Sequence, residues 1–540
     1  MAQQCPWWQG AVIYQIYPRS FMDTSGNGVG DLRGIAEHLD YVASLGVDAV
    51  WISPFQKSPM RDFGYDIEDL TAVDPLFGTL DDVRQIVDRA HALGLKVLMD
   101  QVLSHTSDRH PWFRESRASR DNPKADWYVW ADPKPDGTPP NNWLSVFGGP
   151  SWQWEPRRNQ YYLHNFLASQ PDLDVRNPAV QDALLNACRF WFDLGVDGFR
   201  LDACPFYVHD AALRDNPPAA APIAGTRVNF NPYFFQDHRY DIGRPETLAF
   251  VERLRALADS YGGRVLLGEL DERVGHRLHR DYTAPGRLHL AYGSWLLWAD
   301  HIDGAAIRTL AEALGHGPGD GYPCWSLENH DFMRSPTRLP QGRNHPGFTL
   351  TIQAALSCLR GAACLYQGGE LALPDADIPF ERLQDPYGRE FYPTFKGRDG
   401  ARAPIPWRAD RDHCGFSTVE PWLPLPDDYR RLAVETQTLE PGSPLNRLRR
   451  FLAWRKEQPA LRWGGMAFHP APAAVLAFER RSGDEGVLCL FNLGDEPVTV
   501  PAADLPLGRD LAGHGFGGVC RDGAVLLEPW GAHFTTLGQP

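Results

Sequence analysis

Residues 194–202 read Leu194-Gly195-Val196-Asp197-Gly198-Phe199-Arg200-Leu201-Asp202. An amphipathic, helix-length stretch precedes them. Gly195 can take the left-handed conformation that closes a helix, and a short apolar run follows it. The same pattern occurs twice earlier, at Leu45-Gly46-Val47-Asp48-Ala49-Val50-Trp51-Ile52 and at Leu93-Gly94-Leu95-Lys96-Val97-Leu98-Met99-Asp100. Apolar runs of about 4–6 residues alternating with helical segments predict βα units around a buried parallel sheet. Further strands are predicted at 11–17, 265–267, 324–327 and 363–366, with a fainter pattern at 288–292. Together these fill about eight strand slots between residues 11 and 370, which favours a (β/α)8 TIM barrel over an open doubly wound sheet.

Two stretches depart from the alternation. Residues 105–174 are rich in Trp, Pro, Asn and Asp, with a turn cluster at Asp132-Pro133-Lys134-Pro135-Asp136-Gly137-Thr138-Pro139-Pro140. They are too long for a βα loop and too aromatic for a linker, so a small domain inserted after strand 3 is expected. Its Trp127, Trp130, Trp143, Trp152, Trp154, Tyr161 and Tyr162 read as its core. From about 465 the pattern changes to short strands at 474–478, 486–492 and 497–500 between turns, which predicts a C-terminal antiparallel β-sandwich. The expected division is 1–104 and 175–464 for the two parts of the barrel, 105–174 for the insertion and 465–540 for the sandwich.

The chain has 540 residues, with 53 Lys and Arg against 68 Asp and Glu, a formal net charge of −15. Hydrophobic residues make up 43% and charged residues 22%, ordinary globular usage that excludes wholesale disorder. The acidic balance gives no electrostatic reason to bind nucleic acid or anionic membrane. No apolar run approaches the ~18–20 residues of a membrane-spanning helix. Met1 to Trp8 carry neither a basic nor an apolar region, so a signal peptide is not expected. Nine Cys without a close CxxC pair suit reduced, buried thiols and a cytoplasmic location. The 18 Trp suit sugar faces as well as large cores, and composition does not separate the two uses.

Acids stand where the strands end. The third strand leads to Asp100 and then His105, the fourth to Arg200 and Asp202, the fifth to Glu269, and the seventh to Asn329-His330-Asp331. In a barrel all strand C-termini converge on one face. A single acid after a strand reads as a helix cap, but four such ends argue for one shared pocket. Clustered carboxylates with His suggest either divalent-metal hydrolysis or glycoside hydrolysis by an acid and a nucleophile. There is no HExxH and no pair of His on one helical face, so a zinc site lacks support. Arg200 and Asp202 are i and i+2 on a strand and point to the same side. The cation would keep Asp202 ionised, whereas Glu269, near other acids with Gly and Leu behind it, would hold a proton.

These segments, in order, resemble the α-amylase superfamily, glycoside hydrolase family 13, and within it the α-glucosidases related to oligo-1,6-glucosidase and dextran glucosidase. The similarity runs nearly end to end. It is carried by Ala11-Val12-Ile13-Tyr14-Gln15-Ile16-Tyr17-Pro18-Arg19-Ser20-Phe21, Gly28-Val29-Gly30-Asp31-Leu32-Arg33-Gly34-Ile35, Tyr65-Asp66-Ile67, Asp100-Gln101-Val102-Leu103-Ser104-His105, Gln170-Pro171-Asp172-Leu173-Asp174, Gly198-Phe199-Arg200-Leu201-Asp202-Ala203, Gly268-Glu269 and Asn329-His330-Asp331. The resemblance implies an exo-acting, retaining α-glucosidase that needs no cofactor for catalysis. It implies Asp202 as nucleophile, Glu269 as acid and base, and Asp331 as holder of the 2- and 3-hydroxyls. His105 and His330 would donate to glucose hydroxyls and Arg200 would orient Asp202. Asp66, next to Tyr65, would bind the 4-hydroxyl together with Arg402. Phe166 is a further candidate to line the glucose site.

In this subfamily the residue after the nucleophile goes with linkage: Val with α-1,6 bonds, smaller residues with α-1,4. Here it is Ala203, which implies maltose-like substrates, with a sugar or alcohol acceptor when glucose is transferred rather than hydrolysed. The alternatives are a sucrose or trehalose type of glucosyl transferase or isomerase, an α-1,6-preferring oligoglucosidase, and a non-catalytic relative. Asp23-Thr24-Ser25-Gly26-Asn27-Gly28-Val29-Gly30-Asp31 resembles the calcium loop of these enzymes. It implies a structural Ca2+ or Mg2+ on Asp23, Ser25, Asn27, the Val29 carbonyl and Asp31. An Asx/Gly turn held by its own hydrogen bonds is the competing reading. Cys204 reads as a buried filler. Oligomeric state is not legible in the sequence.

Overall fold

The structure is a computed structural model and describes residues 5–220, 230–270, 276–315, 321–339, 345 and 347–538. Eight parallel strands close into a barrel: β1 (Val12–Ile16), β2 (Ala49–Ile52), β3 (Lys96–Gln101), β4 (Gly198–Leu201), β5 (Val265–Leu270), β6 (Leu290–Gly293), β7 (Tyr322–Ser326) and β8 (Ala362–Tyr366). Neighbours around the barrel follow chain order, and β8 returns to pair with β1. Every predicted strand position is occupied, including the faint one near 290. The runs are apolar because both strand faces are covered, one by packed barrel side chains and the other by helices. The helix before β4 (Pro178–Leu194) starts on an Asn177 cap with Pro178 in its first turn, and ends at Gly195 with φ 112°.

Register sets the level at which chemistry-bearing groups meet. Asp100 on β3 pairs with Arg200 on β4, and Leu267 on β5 pairs with Arg200 from the other side. Glu269 therefore stands level with Asp202, one step beyond the last paired residues of β4 and β5. Tyr292 on β6 pairs with Glu269.

The insertion carries a three-stranded antiparallel sheet of Trp130–Ala131, Gln160–Leu163 and Trp152–Glu155. Trp143, Trp152 and Tyr162 are buried in it, but Trp154 is 37% exposed and is not core. It lies on the Trp152–Glu155 edge strand, which has a partner on one side alone. The C-terminal region forms antiparallel sheets of five and three strands. Among the described residues no helix is long and apolar enough to cross a membrane.

Gly198 opens β4 without a side chain for a steric reason. A Cβ there would stand 2.3 Å from the Val265 carbonyl oxygen on β5. We expect Gly198→Ala to push β4 off β5 and destabilise the fold by about 1–3 kcal/mol, seen as a lower thermal midpoint. Gly442, with no atom within 4 Å of its would-be Cβ, is the control, and Gly442→Ala leaves the midpoint where it was. Equal midpoints for both variants contradict this packing.

Candidate active site

A cavity of about 650 Å³ opens at the C-terminal ends of the barrel strands. Asp202, Ala203, Glu269, Asp331, Tyr65, His105 and Phe166 line it, joined by Asp62 and Arg398. At its floor the Arg200 guanidinium is fully buried. Its Nη1 donates to Asp100 Oδ1 at 2.8 Å and to Asp202 Oδ1 at 2.7 Å. Its Nη2 lies 2.7 Å from Glu269 Oε2. One planar cation therefore touches both carboxyls of the expected pair, brought together from β4 and β5.

Ala203 adopts φ 44° and ψ 44°, a left-handed conformation that costs a non-glycine residue energy. The turn aims its N–H at Glu269 Oε2, 3.0 Å away. Oε2 thus accepts from an amide and lies beside the cation, whereas Oε1 accepts no hydrogen bond among the described residues.

Burial pushes Asp202 up to about 7, against the pull of Arg200. Burial also pushes Glu269 up to about 7, with Asp202 and Asp331 adding to the rise. Two facing carboxyls resist ionising together, so the pair shares one proton near neutrality. The charge-assisted hydrogen bond that Arg200 Nη1 donates to Asp202 favours the charge on Asp202 and the proton on Glu269. Arg200 alone does not keep Asp202 charged, as the i and i+2 spacing suggested, because desolvation competes with it.

Asp331 differs. Burial would raise it, but His330, Arg398 and Arg402 outweigh that and hold it well below the usual carboxylate range. Its Oδ1 accepts from Arg398 Nη1 at 3.1 Å and Arg402 Nη2 at 2.9 Å. The Gln15 side-chain amide donates to His330 Nδ1 at 2.8 Å, so the His330 proton belongs on Nε2, 3.1 Å from Asp331 Oδ2. Tyr65 stacks on His330 with ring centroids 5.2 Å apart and donates to Asp100 Oδ2. Burial holds His105 down to about 4, so it is neutral, with Nε2 against the Tyr65 carbonyl at 3.0 Å.

Two expected sugar contacts are misplaced by one turn of chain. Asp66 is buried outside the cavity lining, and its carboxylate accepts from Ser58 Oγ and from the amides of Arg61 and Asp62. It shapes the turn that aims Asp62 inward. Arg402 spends its Nε on the His330 carbonyl and also lies outside the lining. The groups at the cavity wall are Asp62 and Arg398, joined at 2.8 Å, with Arg398 also bound to Asp331 and Asp385. Gln170, which was not singled out for the site, donates to Asp62 Oδ2 at 3.0 Å. Cys204 is buried beside the pair, and burial pushes its thiol up to about 12, as suits a filler.

The 23–31 loop does not fit a cation as arranged. Asp23 Oδ1 accepts from Ser25 Oγ and the Gly26 amide, and its Oδ2 from the Gly28 amide and Ser417 Oγ. Asp31 takes the Thr24, Ser25 and Gly34 amides, and Asn27 Oδ1 takes the Val29 amide. N–H and O–H groups aimed at these oxygens occupy the lone pairs an ion would need. Among the described residues no group of three or more His, Cys, Asp or Glu is placed to share an ion.

The profile of the α-amylase catalytic domain matches residues 15–464. The chain is 50% identical over 539 residues to a probable α-glucosidase of Rhizobium meliloti (strain 1021), covering 98% of this chain and 97% of that protein. It is 34% identical to an oligo-1,6-glucosidase of Heyndrickxia coagulans, covering 92% and 94%. The crystal structure of XgtA, described as an α-glucosyl transfer enzyme, superposes with a TM-score of 0.95 at 52% identity, covering 99% of this chain and all of that one. With the family's catalytic domain matched over residues 15–464 and likeness along nearly its whole length, the chain belongs to the α-amylase family of glycoside hydrolases.

Proposed function

We propose that the protein is an exo-acting, retaining α-glucosidase for short α-1,4-glucosides such as maltose. The observation that carries this is Arg200 touching Asp202 and Glu269 at one end of a cavity walled by Asp62, Arg398 and Asp331. In the reaction Asp202 attacks the anomeric carbon while the bond to the leaving oxygen breaks. Glu269 Oε1 gives its proton to that oxygen. Glu269, now a carboxylate, takes a proton from a water whose oxygen attacks the anomeric carbon, which breaks the bond to Asp202 and releases α-glucose. Retention of this kind requires the two carboxyls about 5–5.5 Å apart. Asp331, with Nε2–H of His330 beside it, binds hydroxyls of the ring. Asp62 and Arg398 take the non-reducing end, so the chain end enters first. Ala203 leaves room beside the leaving sugar, in favour of α-1,4 bonds.

Transfer of glucose to a sugar or alcohol acceptor is a second activity of the same intermediate. The likeness to a glucosyl transfer enzyme favours it, and so does an outer cavity lined by Phe147, Phe206, Phe234 and Trp298. An apolar wall disfavours water relative to an organic hydroxyl. Cytoplasmic residence completes the reading, supported by nine cysteines that are all unpaired.

Anomer-resolved NMR of maltose turnover tests the assignment. We expect α-glucose to appear first; β-glucose first contradicts retention. Asp202→Ala is expected to lose about 10⁴-fold or more in kcat, and an unchanged rate sinks the mechanism.

The pH dependence follows from the shared proton. At low pH both carboxyls are protonated and the nucleophile is lost; at high pH both are ionised and the acid is lost. We expect a bell centred near pH 7, where both groups are held. Glu269→Gln is expected to remove the basic limb, and a limb that persists assigns the acid elsewhere.

Asp62→Ala is expected to cost ~10–100-fold in kcat/KM on maltose, the worth of a charged hydrogen bond to substrate. Steady-state kinetics that match the unmodified enzyme would remove Asp62 from the glucose site.

A further inference from the structure

Tyr292 has no role in the chemistry above, yet it is buried in the cavity wall and pairs in register with Glu269. Its phenol oxygen accepts from Arg200 Nε at 3.0 Å and from Nη2 at 2.6 Å. The same Nη2 lies 2.7 Å from Glu269 Oε2. Nη2 thus hydrogen-bonds to Tyr292 and stands close to Glu269 at the same time. The other nitrogen, Nη1, is committed to Asp100 and Asp202.

A guanidinium donates in a fixed planar fork, so where the Nε and Nη2 hydrogens aim decides which neighbour receives a strong bond. In this structure they aim at Tyr292. We propose that Tyr292 is a positioning residue: by accepting the Nε hydrogen and one Nη2 hydrogen of Arg200 it fixes the plane of the guanidinium, which spares Glu269 a direct charge-assisted hydrogen bond and lets it keep the proton it must donate. This rests on the acid–base reading proposed above. On β4 and the turn after it, Glu269 faces Arg200, Asp202 and Cys204. Among the described residues, Asp100 on β3, Tyr292 on β6 and Asp331 after β7 also face it.

Remove the hydroxyl, and the Nε–H and one Nη2–H lose their acceptor in a dry site. The nearest oxygen able to take the Nη2–H is Glu269 Oε2. A stronger bond to the ionised form favours ionisation, so Glu269 loses its proton at lower pH. The consequence is specific to protonation of the leaving group. A sugar leaving group needs that proton, whereas a nitrophenolate hardly does.

The test compares the unmodified enzyme, Tyr292→Phe and a form with a ring-fluorinated tyrosine at 292, on maltose and on p-nitrophenyl α-glucoside across pH. We expect Tyr292→Phe to move the basic limb down by about one pH unit. It should lose about tenfold in kcat/KM on maltose at pH 7, and about threefold or less on the nitrophenyl glucoside. The fluorinated form keeps the ring's shape and has a weaker acceptor oxygen. It is expected to move the limb the same way by a smaller amount, and it can be read even where the Phe variant fails to fold. Equal losses on the two substrates with an unmoved basic limb overturn the proposal. An unmodified enzyme inert on both glucosides overturns the glucosidase reading itself, and this assignment with it.

Discussion

The site depends on a single buried cation. Arg200 is removed from water, and that desolvation is offset only because every side of its guanidinium meets an oxygen. A cation so placed cannot be moved or neutralised cheaply, so the groups around it are fixed in turn. The parallel register of β4, β5 and β6 brings Asp202, Glu269 and Tyr292 to one level of the barrel, with Asp100 on β3 beside Arg200 two residues below. The fold supplies height and direction, and Arg200 supplies the charge that lets three acids stand close together.

The acids around the cavity are not equivalent. Asp331 is surrounded by donors and holds its charge. Asp202 and Glu269 share the field of Arg200 and are raised together by burial. The proposed mechanism uses that difference: a permanent charge grips the sugar, and a pair poised near neutrality trades one proton. The strained backbone at Ala203 belongs to the same arrangement. Its left-handed turn delivers an amide to Glu269 Oε2, which leaves Oε1 for the proton that the proposed mechanism transfers.

Much of this was legible in the sequence because it is periodic or local. Gly195 closes its helix and a short apolar run follows, three times over, and each run ends near a polar group at the barrel's mouth. Arg200 beside Asp202 is read from strand alternation alone. What failed depended on direction within a turn. Asp62 and Asp66 lie four residues apart, as do Arg398 and Arg402. Nothing in their identity says which member faces the cavity and which is spent on the backbone. The 23–31 loop failed for a related reason. The oxygens are there, but the loop's own amides reach them first. Tyr292 was invisible because its partner lies 92 residues away and a tyrosine in an apolar run reads as core.

The most direct test is to trap the intermediate. A slow fluorinated glucosyl fluoride, incubated with the enzyme and followed by peptide mass spectrometry, should add one fluoroglucosyl group to the peptide that carries Asp202. No covalent adduct under conditions where the reagent inhibits, or a label on any other carboxyl, contradicts the arrangement in which Arg200 readies Asp202 to attack the sugar.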